Sequence, residues 1–178
     1  MTTQLLIAGF GGQGILFSGK FLAYEGLLED KEVSWLPSYG PEMRGGTASS
    51  SIIISDTKIG SPIVNDPDVL IAMNLPSLEK YEKTTVPGGK IFVDSSLVAR
   101  KVEKNDVEAY YIPATSLASE NDLPGLANMI MLGYMIKKTG VIPYESFERA
   151  LSKVVPARKQ EMLGANKKAL ELGYNYAE

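Results

Sequence analysis

Cysteine and histidine are both absent from the 178 residues. Without cysteine the chain can form no disulfide and can ligate no iron–sulfur cluster through thiolates. Without histidine it lacks the commonest general acid/base and the commonest metal ligand, so any redox chemistry must draw on groups supplied from elsewhere. Tryptophan occurs once, as Trp35. No uninterrupted apolar run approaches the roughly 18–20 residues that a membrane-spanning helix needs, and the first residues, Met1 to Gly9, have no basic stretch and read as a strand rather than a signal peptide. A cytoplasmic location and no membrane partner are expected. The 18 basic residues are scattered against 21 acidic ones, for a net charge of −3, which argues against a broad nucleic-acid-binding face.

What remains has the composition of an ordinary folded domain, 44% hydrophobic and 22% charged. The length suits a single domain over 1–178 with a sizeable core. Gln4 to Ala8 is an apolar run ended by glycines, and Ile15 to Leu28 follows with Ile15, Gly19, Leu22, Ala23 and Gly26 at helical spacing. This is a buried strand, a tight turn and a helix whose small residues allow close approach to a sheet. A short strand is expected over Val33 to Leu36, closed by Pro37, and another over Ala48 to Ser55. Ile59 to Val64 reads as a short edge strand after a turn at Asp56 to Lys58. Further strands are expected at Asp68 to Met73, Lys90 to Val93 and Val107 to Ile112, with a short helix beginning at Pro76. Helical periodicity covers about 125–138, 143–153 and 157–172, the last with an expected buried stripe of Met162, Ala165, Ala169 and Leu172. Asp94 resembles a helix N-cap, and Asn128 to Ile136 reads as a core helix in which Asn128 is free to face a ligand or subunit. Alternation of strands and helices points to a three-layer α/β/α, Rossmann-like domain with a mostly parallel sheet.

Two loops carry the functional signal. Gly9-Phe-Gly-Gly-Gln-Gly satisfies the G-x-G-x-x-G pattern between a strand and a helix, where glycines permit a tight turn and free amides at the helix start can hold an anion. The same glycines also serve a purely packing role. The nicotinamide fingerprint is incomplete, because the second strand ends Val-Ser-Trp-Leu-Pro and its acidic neighbours, Glu29, Asp30 and Glu32, precede it. The second loop, Ser38-Tyr-Gly-Pro-Glu-Met-Arg-Gly-Gly, with three glycines and a proline, lies on the same carboxyl-end edge. Arg44 offers a planar donor set for phosphate or carboxylate, Glu42 orients it or accepts from a ligand, and Gly45 and Gly46 admit a partner to the backbone. A local Glu42–Arg44 contact is the alternative. Trp35 is expected to pack beneath this loop.

Together, Gly9 to Ile15 and Ser38 to Gly46 resemble the γ subunit of the 2-oxoacid:ferredoxin oxidoreductases. Gly60-Ser-Pro-Ile-Val, Asp66-Pro-Asp-Val-Leu and Asn128-Met-Ile-Met-Leu-Gly extend the resemblance over most of the chain. It implies a complex in which a 2-oxoacid and coenzyme A give an acyl-CoA, carbon dioxide and reduced ferredoxin. It further implies thiamine diphosphate on α and β partner subunits, and iron–sulfur clusters on β or a ferredoxin-like δ chain. This chain's share would be architecture and the coenzyme A side of the site, without a catalytic side chain, through Gly9, Gly11, Gly12, Gln13, Gly14, Ser38, Tyr39, Glu42, Arg44 and Gly45. The spelling Pro41-Glu42-Met43-Arg44 is closer to the 2-oxoglutarate, branched-chain and pyruvate group than to indolepyruvate oxidoreductases. A stand-alone Rossmann-type nucleotide- or flavin-binding protein is the alternative, and a pure scaffold a third. A homodimer of the isolated chain is a further expectation, since an unpartnered apolar face self-associates. The γ-subunit reading predicts that the purified chain, supplied with 2-oxoacid, coenzyme A and ferredoxin, shows no turnover until other subunits are added.

Overall fold

The computed structural model describes residues 1–40 and 47–178. At the centre of the sheet lies β1 (Thr2–Phe10), whose Leu5, Leu6, Ile7 and Ala8 are all buried, the continuous apolar run of a strand covered on both faces. The other strands are β2 (Glu32–Tyr39), β3 (Thr47–Ser55), β4 (Val69–Ala72), β5 (Lys90–Asp94) and β6 (Glu108–Ile112), and the spatial order is β2-β3-β1-β4-β5-β6. β3 runs antiparallel to both its neighbours, whereas β1, β4, β5 and β6 pair in parallel, so five of the six strands share one direction.

Among the described residues six α-helices accompany them: α1 (Ile15–Leu28), α2 (Leu75–Tyr81), α3 (Ala114–Glu120), α4 (Ala127–Thr139), α5 (Phe147–Val154) and α6 (Leu163–Tyr174), with 3₁₀ turns at Glu82–Thr84, Tyr144–Ser146 and Ala157–Met162. One face of the sheet, presenting Leu5, Ile7, Ile52, Ile71 and Phe92, shares a large core with α1, α3, α4, α5 and α6. The opposite face, with Leu6, Leu70, Ile91 and Val93, packs on Leu78 of α2 and on Val98. This is the expected three-layer α/β/α arrangement, its layers unequal in weight. Among the described residues, no helix is long and apolar enough to cross a membrane.

α1 rests on the sheet through its glycines. A Cβ placed on Gly19 would lie 2.6 Å from Ser50 Cβ, and one on Gly26 would lie 2.7 Å from Val33 Cγ2. The helix therefore sits at a spacing that only glycine permits, at a cost of about 1 kcal/mol per glycine in helix propensity. Phe21 and Leu22, both 0% exposed, offset it, since full burial of such a side chain contributes about 1.5–3 kcal/mol. Trp35 fills the space beside Gly19 and donates from Nε1 to Ser50 Oγ at 3.4 Å. It thus packs under α1; the loop it was expected to support lies largely outside the described residues.

The structure corrects several other expectations. β2 continues through Pro37, which faces Ser50, so Ser38 and Tyr39 are strand residues. An edge strand tolerates proline because the missing N–H costs no ladder bond on its open side. No strand forms over 59–64, where Gly60 and Pro62 interrupt pairing. α3 has no counterpart among the sequence expectations. Asp94 caps no helix of its own. It is buried at the end of β5, accepts the Ser96 amide at 3.1 Å, and takes the Thr115 hydroxyl at 2.6 Å in the first turn of α3. In α6 the buried stripe is Asn166, Ala169, Leu170 and Gly173, rotated from the expected one, and Met162 is 36% exposed. The rotation follows from Gly133 and Gly173, where α4 and α6 touch backbone to backbone: an added Cβ on Gly133 would overlap the Leu170 carbonyl oxygen, and one on Gly173 that of Ile130.

Glu25 is fully buried in α1, and neither carboxyl oxygen has a hydrogen-bond partner among the described residues. Burial, reinforced by Glu29, pushes its pKa well above the ordinary carboxylate range. Its folded-state pKa exceeds the unfolded one, so its contribution to stability is full below the unfolded value and is lost as pH rises through the folded value. Urea titrations should therefore show wild type losing stability relative to Glu25→Gln as pH is raised from about 4 to 8. In the same assay Gly173→Ala is expected to cost at least about 3 kcal/mol, because helix backbones must separate to admit the methyl group.

Candidate functional site

The turn between β1 and α1 is built on two glycines with left-handed backbones, Gly12 at φ 95° and Gly14 at φ 72°. Gly12 is exposed, with nothing within 4 Å of where its Cβ would stand, so the backbone there is open to a ligand. Gly14 is different, because a Cβ there would collide with the Asn128 carboxamide. Gly9 is buried, and a Cβ on it would meet Gln13, Ile15 and Met73, which makes it a packing glycine. Gly11 is half-buried on the wall of the depression described below.

Gln13 holds the turn in shape. Its Oε1 accepts the Phe10 amide at 2.7 Å, and its Nε2 donates to the Met73 carbonyl at 3.1 Å, at the end of β4. Asn74, which caps α2 by accepting the Ser77 amide at 2.9 Å, also approaches Gln13 Oε1 at 3.4 Å. The Gln13 side chain is thus committed within the fold, and through it the β1–α1 and β4–α2 connections move as one. A second tie comes from α4, where Asn128 Nδ2 donates to the Gly14 carbonyl at 3.1 Å and to Ser18 Oγ at 3.0 Å. Asn128 therefore faces the glycine turn, the third chain segment to hold it.

These ties set the start of α1 at the carboxyl end of the parallel strands. Its N-cap, Gly14, makes no side-chain cap bond, and the first turn holds no acidic residue. The leading amides of such a helix start point outward with a partial positive charge. They border a depression of about 330 Å³ walled by Gly11, Gly12, Phe17, Tyr39 and Ala48. A second depression of about 300 Å³ shares Tyr39 and Ala48 with the first and extends over Ser38, Gly40 and Lys80. The two make one trough along the sheet edge, with amide dipoles at one end and a lysine at the other, suited to an extended anion. The Gly40 amide donates to the Thr47 carbonyl at 2.6 Å, closing the β2–β3 pair at this edge. The expected site residues Glu42, Arg44 and Gly45, with Gly46, lie outside the described residues. The others, Gly9, Gly11, Gly12, Gln13, Gly14, Ser38 and Tyr39, come together here.

The described groups with displaced titration lie away from this trough. Burial opposes ionisation of Glu82, yet hydrogen bonds from Arg100 at 2.8 Å and from the Lys104 and Glu103 amides prevail and lower its pKa. Tyr110 is pushed up to about 12, first by its hydrogen bond to Glu108. Both belong to structural clasps. Among the described residues, no group of three or more acidic side chains is placed to hold a metal ion. Sequence reasoning missed Lys80 and Ala48 as lining residues; Lys80 belongs to the short helix expected after Pro76, but nothing in its spacing pointed across to the glycine loop.

Residues 4–176 match the family model described as pyruvate ferredoxin/flavodoxin oxidoreductase. The chain belongs to this family. The 2-oxoglutarate synthase subunit KorC of Methanocaldococcus jannaschii is 39% identical, over 100% of this chain and 95% of that protein. The ketoisovalerate oxidoreductase subunit VorA of Methanothermobacter thermautotrophicus is 40% identical over 98% of this chain, which spans only 36% of that longer protein. Among solved structures, the γ subunit of a keto/oxoacid ferredoxin oxidoreductase from Geobacter sulfurreducens matches with a TM-score of 0.82 and 30% identity, covering 97% of this chain and 96% of that one. A 2-oxoglutarate:ferredoxin oxidoreductase from Magnetococcus marinus, solved with 2-oxoglutarate, coenzyme A and succinyl-CoA, matches with a TM-score of 0.85 and 26% identity, covering 97% of this chain and 30% of that one. In this family the domain thus occurs both as a chain of its own and as part of a longer one.

The ties made by Gln13 are directly testable. Gln13→Ala strands the Phe10 amide and the Met73 carbonyl, and is expected to cost about 1–3 kcal/mol. Urea denaturation measures the loss, and amide hydrogen exchange should show deprotection centred on Phe10.

Proposed function

We propose that this chain is the γ subunit of a 2-oxoacid:ferredoxin oxidoreductase and forms the coenzyme A side of its site. The observation that supports this most is the trough at the carboxyl edge, where the open Gly12 backbone, the uncapped start of α1 and Lys80 line one continuous surface. Coenzyme A is long, flexible and multiply charged, and such a surface offers its phosphates backbone amides and one ammonium. In the reaction the bond between the carboxylate and the oxo carbon breaks and releases carbon dioxide, the coenzyme A thiol loses its proton as its sulfur forms a thioester with the acyl carbon, and the two electrons left by this oxidation pass to ferredoxin. Thiamine diphosphate, held by partner subunits, supplies the carbanion chemistry, and iron–sulfur clusters on the β or δ partner carry the electrons. The residues of this chain bind and orient: Gly11, Gly12 and Gly14 bring the backbone to the phosphates, Gln13 keeps their turn rigid, and Ser38 and Tyr39 line the opposite wall, while Glu42, Arg44 and Gly45 are assigned to coenzyme A by their chemistry, a guanidinium, a carboxylate and an open backbone. Gly9 serves by letting the turn pack. In this reading the chain works in the cytoplasm with α, β and ferredoxin-like δ subunits.

A substrate in the 2-oxoglutarate or branched-chain group is favoured by the KorC and VorA relatives, both near 40% identical. Affinity purification of the tagged chain from its host under anaerobic conditions is expected to bring down thiamine-binding and iron–sulfur subunits. In the purified complex, Lys80→Ala should raise the KM for coenzyme A about ten-fold, the scale of one charge-assisted hydrogen bond, with the KM for the 2-oxoacid unmoved. A chain that purifies alone, or a Lys80 variant with unchanged coenzyme A dependence, would count against this reading.

A further inference from the structure

α1 has 14 residues, and six of them are not buried: Leu16, Phe17, Lys20, Tyr24, Leu27 and Leu28. At about 100° of turn per residue, the six fall within one outward sector of about 120°. A surface helix ordinarily points charged and polar side chains into that sector. Here five of the six are aliphatic or aromatic, and Lys20 is the single charge. Leu27 is 55% exposed, and neither it nor Leu16 joins either of the two cores among the described residues. The helix is held to the sheet by its other face, through Gly19, Phe21, Leu22 and Gly26, so its seating does not call for these leucines. A contiguous apolar face of this kind marks contact with another chain.

Charge decides against a second copy of this chain as the occupant. Just past the end of α1 stand Glu29, Asp30 and Glu32, the last two exposed. Antiparallel two-fold pairing of α1 with itself brings these carboxylates against the start of the other helix, where the trough is suited to an anion. Pairing the two helices in parallel sets Lys20 against Lys20. Like charges brought together in this way oppose association. Two facts favour a different chain. The apolar sector begins at the trough, since Leu16 and Phe17 line the depression beside the glycine turn, so whatever lies along α1 also borders the proposed coenzyme A. In the two longer relatives this domain is only 36% and 30% of a polypeptide, the remainder of which is tethered to it.

We propose that the outward face of α1 seats the thiamine-binding partner subunit, which meets it with a row of apolar side chains carrying one carboxylate opposite Lys20. The inference rests on the γ-subunit reading of the chain and names the surface through which that assembly is made. From Leu16 to Leu27 the face runs about 16 Å, three helical turns. Its leucines and aromatic rings hold the subunits together, and the lone lysine fixes their register, since a partner displaced by a turn leaves its carboxylate against a leucine. The same contact carries the partner to the edge of the trough, where the thiol of coenzyme A has to meet chemistry that this chain does not supply.

Anaerobic purification of the tagged full chain tests it, comparing wild type with Leu27→Asp, Lys20→Glu, Lys20→Met and, on another exposed leucine, Leu97→Asp. Leu27→Asp is expected to lower recovery of the thiamine-binding subunit at least about ten-fold, the scale of a lost interface anchor. Leu97→Asp should leave that recovery at the wild-type level. Lys20→Glu should lose about ten times more of the subunit than Lys20→Met, because only the reversal sets two carboxylates face to face. Each variant chain on its own should melt within about 4 °C of wild type, so that a loss reports the contact and not the fold. Wild type and Leu27→Asp recovering the subunit equally, or Leu97→Asp losing as much as Leu27→Asp, would overturn the inference and leave the γ-subunit reading standing. A wild-type chain that recovers no thiamine-binding subunit would overturn both. Sedimentation of the isolated wild type as a dimer that Leu27→Asp dissociates would give the face to a second copy and overturn the partner assignment.

Discussion

The distance between α1 and the sheet is the constraint on which the remainder hangs. That distance is set by hydrogen atoms where other helices carry side chains, at Gly19 against Ser50 and at Gly26 against Val33. Seating the helix so low brings the Ser50 hydroxyl to the Ile15 carbonyl, at 3.0 Å, and lets Trp35 close the flank. It also fixes where the helix begins, and therefore where its outward-pointing amides stand relative to the ends of β1 and β2. Gln13 and Asn128 then hold that position from two sides, one through β4 and one through α4. A functional edge assembled this way owes its geometry to backbone and carboxamide contacts far more than to charge.

Much of the frame could be read from the amino acids. The bounds of α1, the buried strands at Val69–Ala72 and Lys90–Asp94 and the helices of the last third follow from periodicity and punctuation, because each element's burial is dictated by its own residues. What escaped were features decided between elements. Pro37 signals a strand end locally, yet the edge of a sheet accepts it. The buried face of α6 rotates because Gly173 meets Gly133 across a helix crossing, a pairing of two glycines 40 residues apart that no window on either helix reveals. α3 is seven residues long and is held at its start by Asp94 from a different strand.

The site shows the same division. Gly12 and Gly14 announce themselves, since a strand–glycine–helix junction has few physical solutions. That Gln13 is consumed by internal bonds depends on which strand lies beside β1 in space, and that Asn128 bonds the turn depends on where α4 docks. The residues that recognise a ligand and those that hold the recogniser are interleaved in the same six-residue motif. Sequence spacing alone does not separate them.

The glycine-to-glycine crossing of α4 and α6 also governs the order in which the protein can mature on the ribosome. α4 is apolar nearly all round, with Met129, Ile130, Met131, Leu132, Tyr134 and Met135 each at most 1% exposed in the finished fold. Part of its cover, α6, is synthesised after it, over residues 163–174. During translation of the intervening segment, a sticky helix with no lid emerges into the cell, the kind of transient surface that chaperones shield and that nascent chains aggregate through. Until residues 163–174 have emerged, that face of α4 stays open, and the two glycines that let α6 lie against it backbone to backbone are what finally close it.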